Sequence, residues 1–457
     1  MQKLIKSPET LLKYLVAGIL IAVPLYPKFP FIRIPGTFVS VRLEDLLLIL
    51  SFIFWLIFFF PGIKNFFKND ILRAIIIFLG VGVISLFSAI FVTQTITPHI
   101  GILHWFRRIE YFVPLVLGMT VIKKLAGNLN FFFKIILLII FFAFIYGFGQ
   151  RYLSWPIIIT QNQEYSKGVA LRWMSGSHIN STFAGHYDLA TFLVLVLPLV
   201  ITSLFILKGK LTKVFLAGTW LISLWLLVNT ASRISLVSYL IASTFSLVLI
   251  KKYKAIPIVI LISIGFIGFS SNLQERYGRL WNVVRERVLE IKILDNLVAD
   301  DVYAQDSEEF LFKKDKPSPT PTPVPVFEDR SSSIRLNVEW PRALRAFSKN
   351  PLLGTGYSSI TLATDNDFLR LLGEVGLLGF LAFLLIFVNF CTALLKVWPF
   401  PKNFEGLELA FVAGISGSLP GLFLNAVFID IFEASKFAII FWLLIGMTIS
   451  LIDKNHE

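Results

Sequence analysis

The chain has 457 residues, of which 56% are hydrophobic and only 16% are charged, and its mean hydropathy is +0.76. These values exclude a soluble globular domain as the default and predict an all-α, polytopic membrane protein. The net charge of +13 does not indicate nucleic-acid binding, because a membrane-embedded chain without a soluble basic domain cannot hold a duplex. With Cys391 as its single cysteine, the chain cannot form an intrachain disulfide.

About twelve apolar segments are long enough to be membrane helices, since a bilayer core needs about 20 apolar residues per helix. They are predicted at residues 11–26, 44–62, 71–92, 108–123, 131–150, 188–207, 213–230, 234–250, 255–271, 367–395, 407–425 and 428–452. The first is predicted to be retained rather than cleaved as a signal peptide, because prolines follow it instead of a small-residue cleavage site.

These segments divide the chain into four parts. They are an N-terminal scaffold of five spans (1–150), an outer loop with spans 6–9 (151–270), a large extracytoplasmic loop (271–365) and three C-terminal spans (366–457). Within the large loop, the alternating prolines of residues 317–325 favour an extended spacer without a packed core.

The basic residues predict the orientation of the helices, because cytoplasmic loops hold an excess of lysine and arginine. With both termini cytoplasmic, the inner loops hold mainly lysine. The outer loops hold mainly arginine, namely Arg33, Arg42, Arg107, Arg108, Arg151, Arg172 and Arg233. Side chains that reach the interface from helix ends would explain such arginines individually. As a set they indicate an anionic partner outside, because a guanidinium binds phosphate oxygens through paired N–H groups.

Two places in the first half of the chain combine acidic or basic groups with helix ends. Glu44 and Asp45 open the second span, where they could bind a metal, act as acid and base, or only satisfy the helix dipole. His186 and Asp188 open the sixth span and are either substrate-binding or interfacial residues.

Arg233 lies in a short turn between two spans, and an ionisable group at such depth is a functional candidate by default.

A short amphipathic helix is predicted to begin near Ser333, just before the tenth span. At 100° per residue its two sides separate. One side holds Arg335, Glu339, Arg342 and Arg345, and the apolar side holds Leu336, Trp340, Ala343, Leu344 and Phe347. Pro341 should kink or restart this helix, and Gly354 and Gly356 should turn the chain back after it.

Four stretches in order resemble the O-antigen ligase and polymerase superfamily of bacterial cell envelopes. They are GSHINSTFAGHYDLATFLVLVLPL, TASRISLVSYLIA, SIRLNVEWPRALRAFSKNPLLGTGY and TDNDFLRLLGEVGLLGFLAFLL, within about residues 170 to 395. The resemblance implies a GT-C-like membrane glycosyltransferase that works without a metal or cofactor at the outer face of the bacterial cytoplasmic membrane. Its donor would be an undecaprenyl-diphosphate-linked glycan, its acceptor a sugar or glycolipid, and membrane lipid would surround it.

The resemblance also assigns roles to residues. Arg233 matches the arginine of the family's SR motif and Arg335 the arginine that opens the last outer helix, so both would contact phosphate. The family's ligases have His-Asn before the tenth span, where this chain has Asp365-Asn366-Asp367. Asp365, Asp367 and His186 are therefore the catalytic candidates, since an aspartate with a raised pKa can take a proton from a sugar hydroxyl. The substrate-binding candidates are Arg233, Arg335, Arg342, Arg345, Asn366 and Asp188.

Two other functions remain open from the sequence. A flippase or other transporter of lipid-linked oligosaccharide is one, although such proteins are commonly built from two repeated halves and these halves differ. A metal-dependent GT-C enzyme that acts through Glu44 and Asp45 is the other. The sequence does not choose between ligase and polymerase, although the missing histidine favours polymerisation or transfer to an acceptor other than lipid A core sugar.

Overall fold

The computed structural model describes residues 7–27, 29–33, 40–59, 68–124, 128–158, 173–174, 177–275, 277–278, 334–361 and 363–454. The Pro-rich spacer, the basic segment from residue 279 onward and Arg172 lie outside the described residues. The described part is a bundle of helices with one small antiparallel sheet, in which β1 (Pro30–Arg33) pairs with β2 (Ser40–Arg42).

The helices are α1 (Pro8–Leu25), α2 (Leu43–Phe59), α3 (Asp70–Phe91), α4 (Pro98–Lys124), α5 (Leu129–Tyr152), α6 (His186–Ile206), α7 (Lys210–Asn229), α8 (Arg233–Leu249), α9 (Ile256–Gly265), α10 (Trp340–Lys349), α11 (Asp367–Lys396), α12 (Phe400–Asn403), α13 (Gly406–Phe428) and α14 (Ser435–Lys454). Short 3₁₀ turns at Tyr253–Ala255 and Phe266–Phe269 flank α9. A π-helical turn, Arg335–Glu339, leads into α10.

The all-α membrane architecture predicted from composition is confirmed. Within the described residues, eight helices are long and apolar enough to cross a membrane, namely α1, α3, α5, α6, α7, α11, α13 and α14. The other predicted spans also fall on helices, but α2 and α8 have only 17 residues each. The count of twelve spans and the division into four parts therefore stay predictions.

The centre of the bundle is formed by α6, α13 and α14. In α14 all residues of the most apolar stretch are buried, and in α6 83% of them are. In α3 only 44% of the corresponding stretch is buried. Close helix contacts depend on small residues, as they commonly do between membrane helices. A side chain at Gly446 of α14 would overlap the backbone of Leu115, so this glycine lets α4 and α14 approach closely.

Helix α11 is broken at Gly376, whose φ of 71° and ψ of −173° are open in practice only to glycine. The segment after α10 fills this break with backbone hydrogen bonds. Thr355 N donates to Gly373 O at 2.9 Å, and Leu377 N donates to Pro351 O at 2.8 Å. Gly354, with a φ of 69°, turns the chain there as predicted. The break therefore fastens the loop of residues 351–366 to α11.

One predicted element boundary is wrong. The last span was predicted to start at residue 428, but α14 starts at Ser435 and residues 429–434 form a loop, because Asp430 and Glu433 are drawn to arginines of neighbouring helices. On the amphipathic helix, Ala343 is buried, and Leu336 and Leu344 are 57% and 50% exposed. Exposed apolar side chains are compatible with contact to lipid, so the apolar face of this helix stays a prediction.

Candidate active site

Arg335 and Asp365 form the centre of the candidate site. The π turn presents Arg335 towards the loop before α11, where its Nε and Nη2 donate to Asp365 Oδ2 at 3.0 and 2.7 Å. Burial lowers the pKa of Arg335, but the charge of Asp365 and the hydrogen-bonding Tyr187 outweigh it and raise the pKa. Tyr187 belongs to α6, so Arg335 connects the loop before α11 with the start of α6.

Asp430 fixes the conformation of Asp365. Asp365 has a positive φ of 49°, which is uncommon for a residue other than glycine. The carboxylate of Asp430 accepts the backbone N–H of Thr364 and that of Asn366, each at 2.9 Å, so it holds the two amides on either side of Asp365. Arg370 Nη1 donates to the same carboxylate at 3.3 Å. Asp430 therefore positions Asp365 without contacting its side chain.

The two residues after Asp365 use their side chains to build the start of α11. Asn366 caps the helix, since its Oδ1 accepts the backbone N–H of Leu369 at 2.9 Å. Asp367 is buried, and its oxygens accept the backbone N–H groups of Ile431 and Phe432 at 2.7 to 3.2 Å. Of the three residues, Asp365 has a side chain that remains partly exposed, at 27%.

Three residues where the π turn joins α10 have shielded polar atoms without a hydrogen-bond partner in the described part of the chain. They are Glu339 Oε2, Trp340 Nε1 and Arg342 Nη1. Burial first, then the charges of Asp365 and Asp430, raise the pKa of Glu339 to about 7, although Arg335 and Arg342 act in the opposite direction. Burial also raises the pKa of Asp365, which Arg335 partly offsets. We call Arg335, Glu339, Arg342 and Asp365 the outer cluster.

The start of α6 brings two histidines together. The rings of His178 and His186 have centroids 3.7 Å apart, and the centroids of His186 and Tyr187 are 4.0 Å apart. Through Tyr187 this turn reaches Arg335, so His186 lies in the same part of the bundle as the outer cluster. Asp188 is buried in the first turn of α6, and its Oδ2 has no hydrogen-bond partner among the described residues.

The remaining two arginine candidates lie at different positions. Arg233 begins α8, capped by Ser232, and the hydroxyl of Tyr277 donates to the Arg233 carbonyl at 3.3 Å. Arg345 is exposed near the end of α10. The structure thus joins Arg335 to Asp365 by hydrogen bonds, and both Arg335 and Arg342 act on Glu339 through their charge. Arg233 lies at the start of a different helix, and Arg345 lies three residues beyond Arg342 on α10.

Behind the loop lies a second group of charges that we call the interior network: Arg108, Arg370, Glu374, Asp430 and Glu433. Arg370 pairs with Glu374 at 3.3 Å and with Asp430 at 3.3 Å, and Arg108 pairs with Glu433. Glu374 also accepts the backbone N–H of Ser358 at 3.2 Å. A cavity of about 30 Å³ between Arg108, Asp367 and Glu433 has room for one or two water molecules.

The acidic pair at the start of α2 is engaged by protein groups. Asp45 accepts from Arg107 Nη1 and from the backbone N–H of Arg42, at 2.8 and 2.9 Å. Glu44 is buried and lies 3.4 Å from the hydroxyl of Ser435. Within the described ranges, no group of three or more His, Cys, Asp and Glu side chains is arranged to hold a metal ion.

One comparison with known proteins finds a family match for part of the chain. Residues 217–384 match the family model of the O-antigen ligases. This match covers less than half of the chain and supports a relationship to the O-antigen ligase and polymerase superfamily. A comparison with curated proteins finds no match. The match spans Arg233, the outer cluster and the start of α11, and this family indicates glycosyl transfer of the ligase or polymerase type at a membrane.

Sequence reasoning missed Glu339 as a site residue and the interior network apart from Arg108, which it counts among the outer arginines. Arg370 and Glu374 are four residues apart inside a predicted span, and charged residues within a span are a recognised signal of function or pairing. Asp430 and Glu433 were not recognised as loop residues, because the last predicted span includes them. Glu339 was noticed only as a member of the arginine side of the helix.

Proposed function

We propose that this protein is a metal-independent glycosyltransferase that transfers or polymerises a glycan from an undecaprenyl-diphosphate-linked donor. The observation that supports this most directly is the outer cluster, in which guanidinium groups lie beside carboxyl groups at the loop before α11. This arrangement lies within the residues that match the O-antigen ligases. It supplies both groups that glycosyl transfer from a diphosphate needs, a cation for the leaving group and a base for the acceptor.

The arginines act on the leaving group. As the bond between the sugar C1 and the phosphate oxygen breaks, the electron pair stays with the diphosphate, and fixed positive charge stabilises it. Arg335 is held rigidly by Asp365, and Arg342 has an N–H group without a partner in the described part of the chain. Arg233 and Arg345 are proposed to bind the distal phosphate or the glycan, and Asp188 and Asn366 to bind glycan hydroxyls.

A base acts on the acceptor. Its hydroxyl oxygen attacks C1 while the base takes the hydroxyl proton. Among the candidates, Asp367 uses its oxygens to hold two backbone amides, and His186 packs against two other rings. Asp365 is partly exposed and lies beside Arg335, so it is the best placed of the three.

The lysine and arginine distribution supports the proposed location. The protein would span the bacterial cytoplasmic membrane with both termini in the cytoplasm and the large loop outside, and the outer cluster would face the extracytoplasmic side. The acceptor would be a sugar or a glycolipid. No soluble partner or nucleic acid takes part in this proposal.

Transfer from a synthetic undecaprenyl-diphosphate oligosaccharide tests the function. The purified protein in detergent or nanodiscs is given this donor with and without a second, lipid-free oligosaccharide, and released undecaprenyl diphosphate and glycan products are measured. We expect release by the wild type with and without EDTA, and strong losses for Arg335→Ala and Arg233→Ala. Loss of release with EDTA would instead support a metal-dependent enzyme that uses Glu44 and Asp45.

Arg73→Ala is a matched control, because Arg73 is an exposed arginine that pairs with Asp70 away from the outer cluster. Its activity should equal that of the wild type. Full activity in both Arg335→Ala and Arg233→Ala would contradict the proposed role of the arginines.

A further inference from the structure

We propose that Glu339 is the base that takes the proton of the acceptor hydroxyl, and that Asp365 orients Arg335. This inference rests on the proposed function and names a catalytic residue within it. Glu339 is the last residue of the π turn, and it is not among the catalytic candidates predicted from the sequence.

The first argument is the unused hydrogen-bonding capacity around Glu339. Its Oε2 is shielded and has no hydrogen-bond donor among the described residues, and the same holds for the donors Trp340 Nε1 and Arg342 Nη1. A buried polar atom without a partner is costly and rare in native structures, so each one needs an explanation. One acceptor and two donors on four successive residues fit a ligand with hydroxyl and anionic groups. The acceptor hydroxyl would donate to Glu339, and phosphate would accept from Arg342.

The second argument is the contrast with Asp365. Oδ2 of Asp365 accepts two N–H groups from Arg335, so a proton added to that oxygen would compete with the ion pair. Among the described residues Glu339 forms no ion pair, Arg335 and Arg342 act on it through their charge, and its side chain is half-buried. Asp365 is therefore suited to hold the guanidinium in place, and Glu339 is suited to gain and lose a proton.

The third argument is the local geometry of the chain. Trp340 N donates to Arg335 O across the π turn, and such turns occur often at functional sites. The turn places Arg335 and Glu339 at its two ends, next to one another along the helix. One short segment thereby holds both the arginine that stabilises the leaving group and the glutamate that accepts the proton, beside the same substrate.

The charges around Glu339 come from three elements. Arg335 and Arg342 act from its own helix, Asp365 from the loop before α11, and Asp430 from the loop before α14. The two carboxylates make the ionised form of Glu339 less favourable and the two arginines make it more favourable. Their balance, together with burial, leaves the pKa at about 7, which is the range where a general base is most effective.

The step conserves atoms and charge. The acceptor oxygen forms a bond to the sugar C1, its proton passes to Oε2 of Glu339, and the bond from C1 to the phosphate oxygen breaks. The electron pair of the broken bond stays on the diphosphate, beside Arg335 and Arg342. Glu339 then releases the proton to solvent before the next turnover.

The test compares Glu339→Gln with the wild type, using the synthetic undecaprenyl-diphosphate oligosaccharide and a lipid-free oligosaccharide acceptor. We expect kcat to fall by about 100-fold or more, with a smaller change in KM, because a general base contributes about that factor. The wild-type rate should rise with pH to a plateau with a midpoint near the Glu339 pKa of about 7. The variant should lose this rise, and formate should restore part of the activity of Glu339→Gly.

Two further measurements separate the possible outcomes. Glu275→Gln, which changes an exposed glutamate outside the site, should keep both the rate and the pH profile. Infrared difference spectra between wild type and Glu339→Gln, recorded without substrate, should show a protonated carboxyl band that disappears as the pH rises through about 7.

A Glu339→Gln variant with near wild-type kcat and an unchanged pH rise would overturn the inference, and so would an infrared band that is absent throughout. If Arg335→Ala were inactive in that case, the proposed function would still stand with another base. If the arginine variants were fully active as well, the proposed function itself would fail.

Discussion

The outer cluster and the interior network contain the same types of charged residue. They differ in how many of the charged groups have ion-pair and hydrogen-bond partners. In the interior network each of the two arginines is ion-paired, and the carboxylates of Asp430 and Glu374 also accept backbone N–H groups. In the outer cluster, one atom of Glu339 and one of Arg342 are shielded and without a partner in the described part of the chain. Both groups lie beside the loop that precedes α11.

This difference indicates a structural role for the interior network and a catalytic role for the outer cluster. A charge within a membrane bundle is costly unless it is paired, and both arginines of the interior network form ion pairs that fix the loop and the broken helix α11. Arg370 Nε makes no hydrogen bond in the described part of the chain, but it lies 3.3 Å from the Glu374 carboxylate. In the outer cluster the shielded atoms of Glu339 and Arg342 lie three residues apart in the chain, which fits a site that a ligand completes. We therefore expect changes in the interior network to act mainly on stability, and changes in the outer cluster to act mainly on activity.

The largest effect on stability is expected for Asp430→Ala. The change leaves Arg370 without one of its ion-pair partners and two backbone amides without an acceptor, so the free energy of unfolding should fall by about 3–5 kcal/mol. Thermal unfolding of the detergent-solubilised protein measures this. Glu408→Ala is the control, since the exposed pair of Glu408 and Lys454 should contribute about 1 kcal/mol at most. Equal effects of the two changes would remove the distinction between paired interior charges and surface pairs.

Arg335→Ala should show the opposite balance. Because it removes a cation from the leaving group, kcat/KM should fall about 100- to 1000-fold, the range seen when one stabilising donor is lost. The unfolding midpoint should change little, since Asp365 is partly exposed and can be hydrated. Arg335→Lys should recover only part of the rate, because a lysine cannot donate two parallel hydrogen bonds. A large drop in stability with unchanged kcat/KM would place Arg335 among the architectural charges.

Gly376→Ala tests whether the break in α11 holds the site in place. The backbone conformation at this residue is strained for alanine, and the added Cβ would overlap the backbone of Leu352. We expect a loss of about 3 kcal/mol in unfolding free energy, measured by chemical or thermal unfolding. Gly80→Ala is the matched control, because a Cβ there meets no neighbour within 4 Å and should change stability by no more than about 1 kcal/mol.

The smallest expected effect is a pH dependence of stability due to Glu339. Its pKa is raised from 4.5 to about 7 in the folded protein, so between these values the folded state binds more protons than the unfolded state. Stability should therefore fall as the pH rises through this window. Unfolding midpoints of wild type and Glu339→Gln at the two ends of the window measure the effect. The variant should gain stability relative to wild type at the alkaline end, and parallel curves would contradict the raised pKa.

Much of the fold was predictable because membrane helices are encoded locally. Each predicted apolar segment falls on a helix, and the turn at Gly354 was placed correctly from its glycine. The start of α14 was not, because the run from Asn425 to Phe437 is apolar apart from a few polar and charged residues. Hydropathy does not show that Asp430 and Glu433 pair with arginines from distant helices.

The sequence by itself determined the membrane class, the resemblance to the O-antigen ligases and the candidates Arg335 and Asp365, because composition and short motifs are local properties of the chain. Only the tertiary structure decided which charges are paired and which keep free atoms. That division depends on contacts between residues far apart in the chain, such as Asp430 with Thr364 and Arg108 with Glu433. It also depends on a π turn that no regular helical spacing predicts. Glu339 emerged as a candidate base for this reason, since its role follows from what surrounds it.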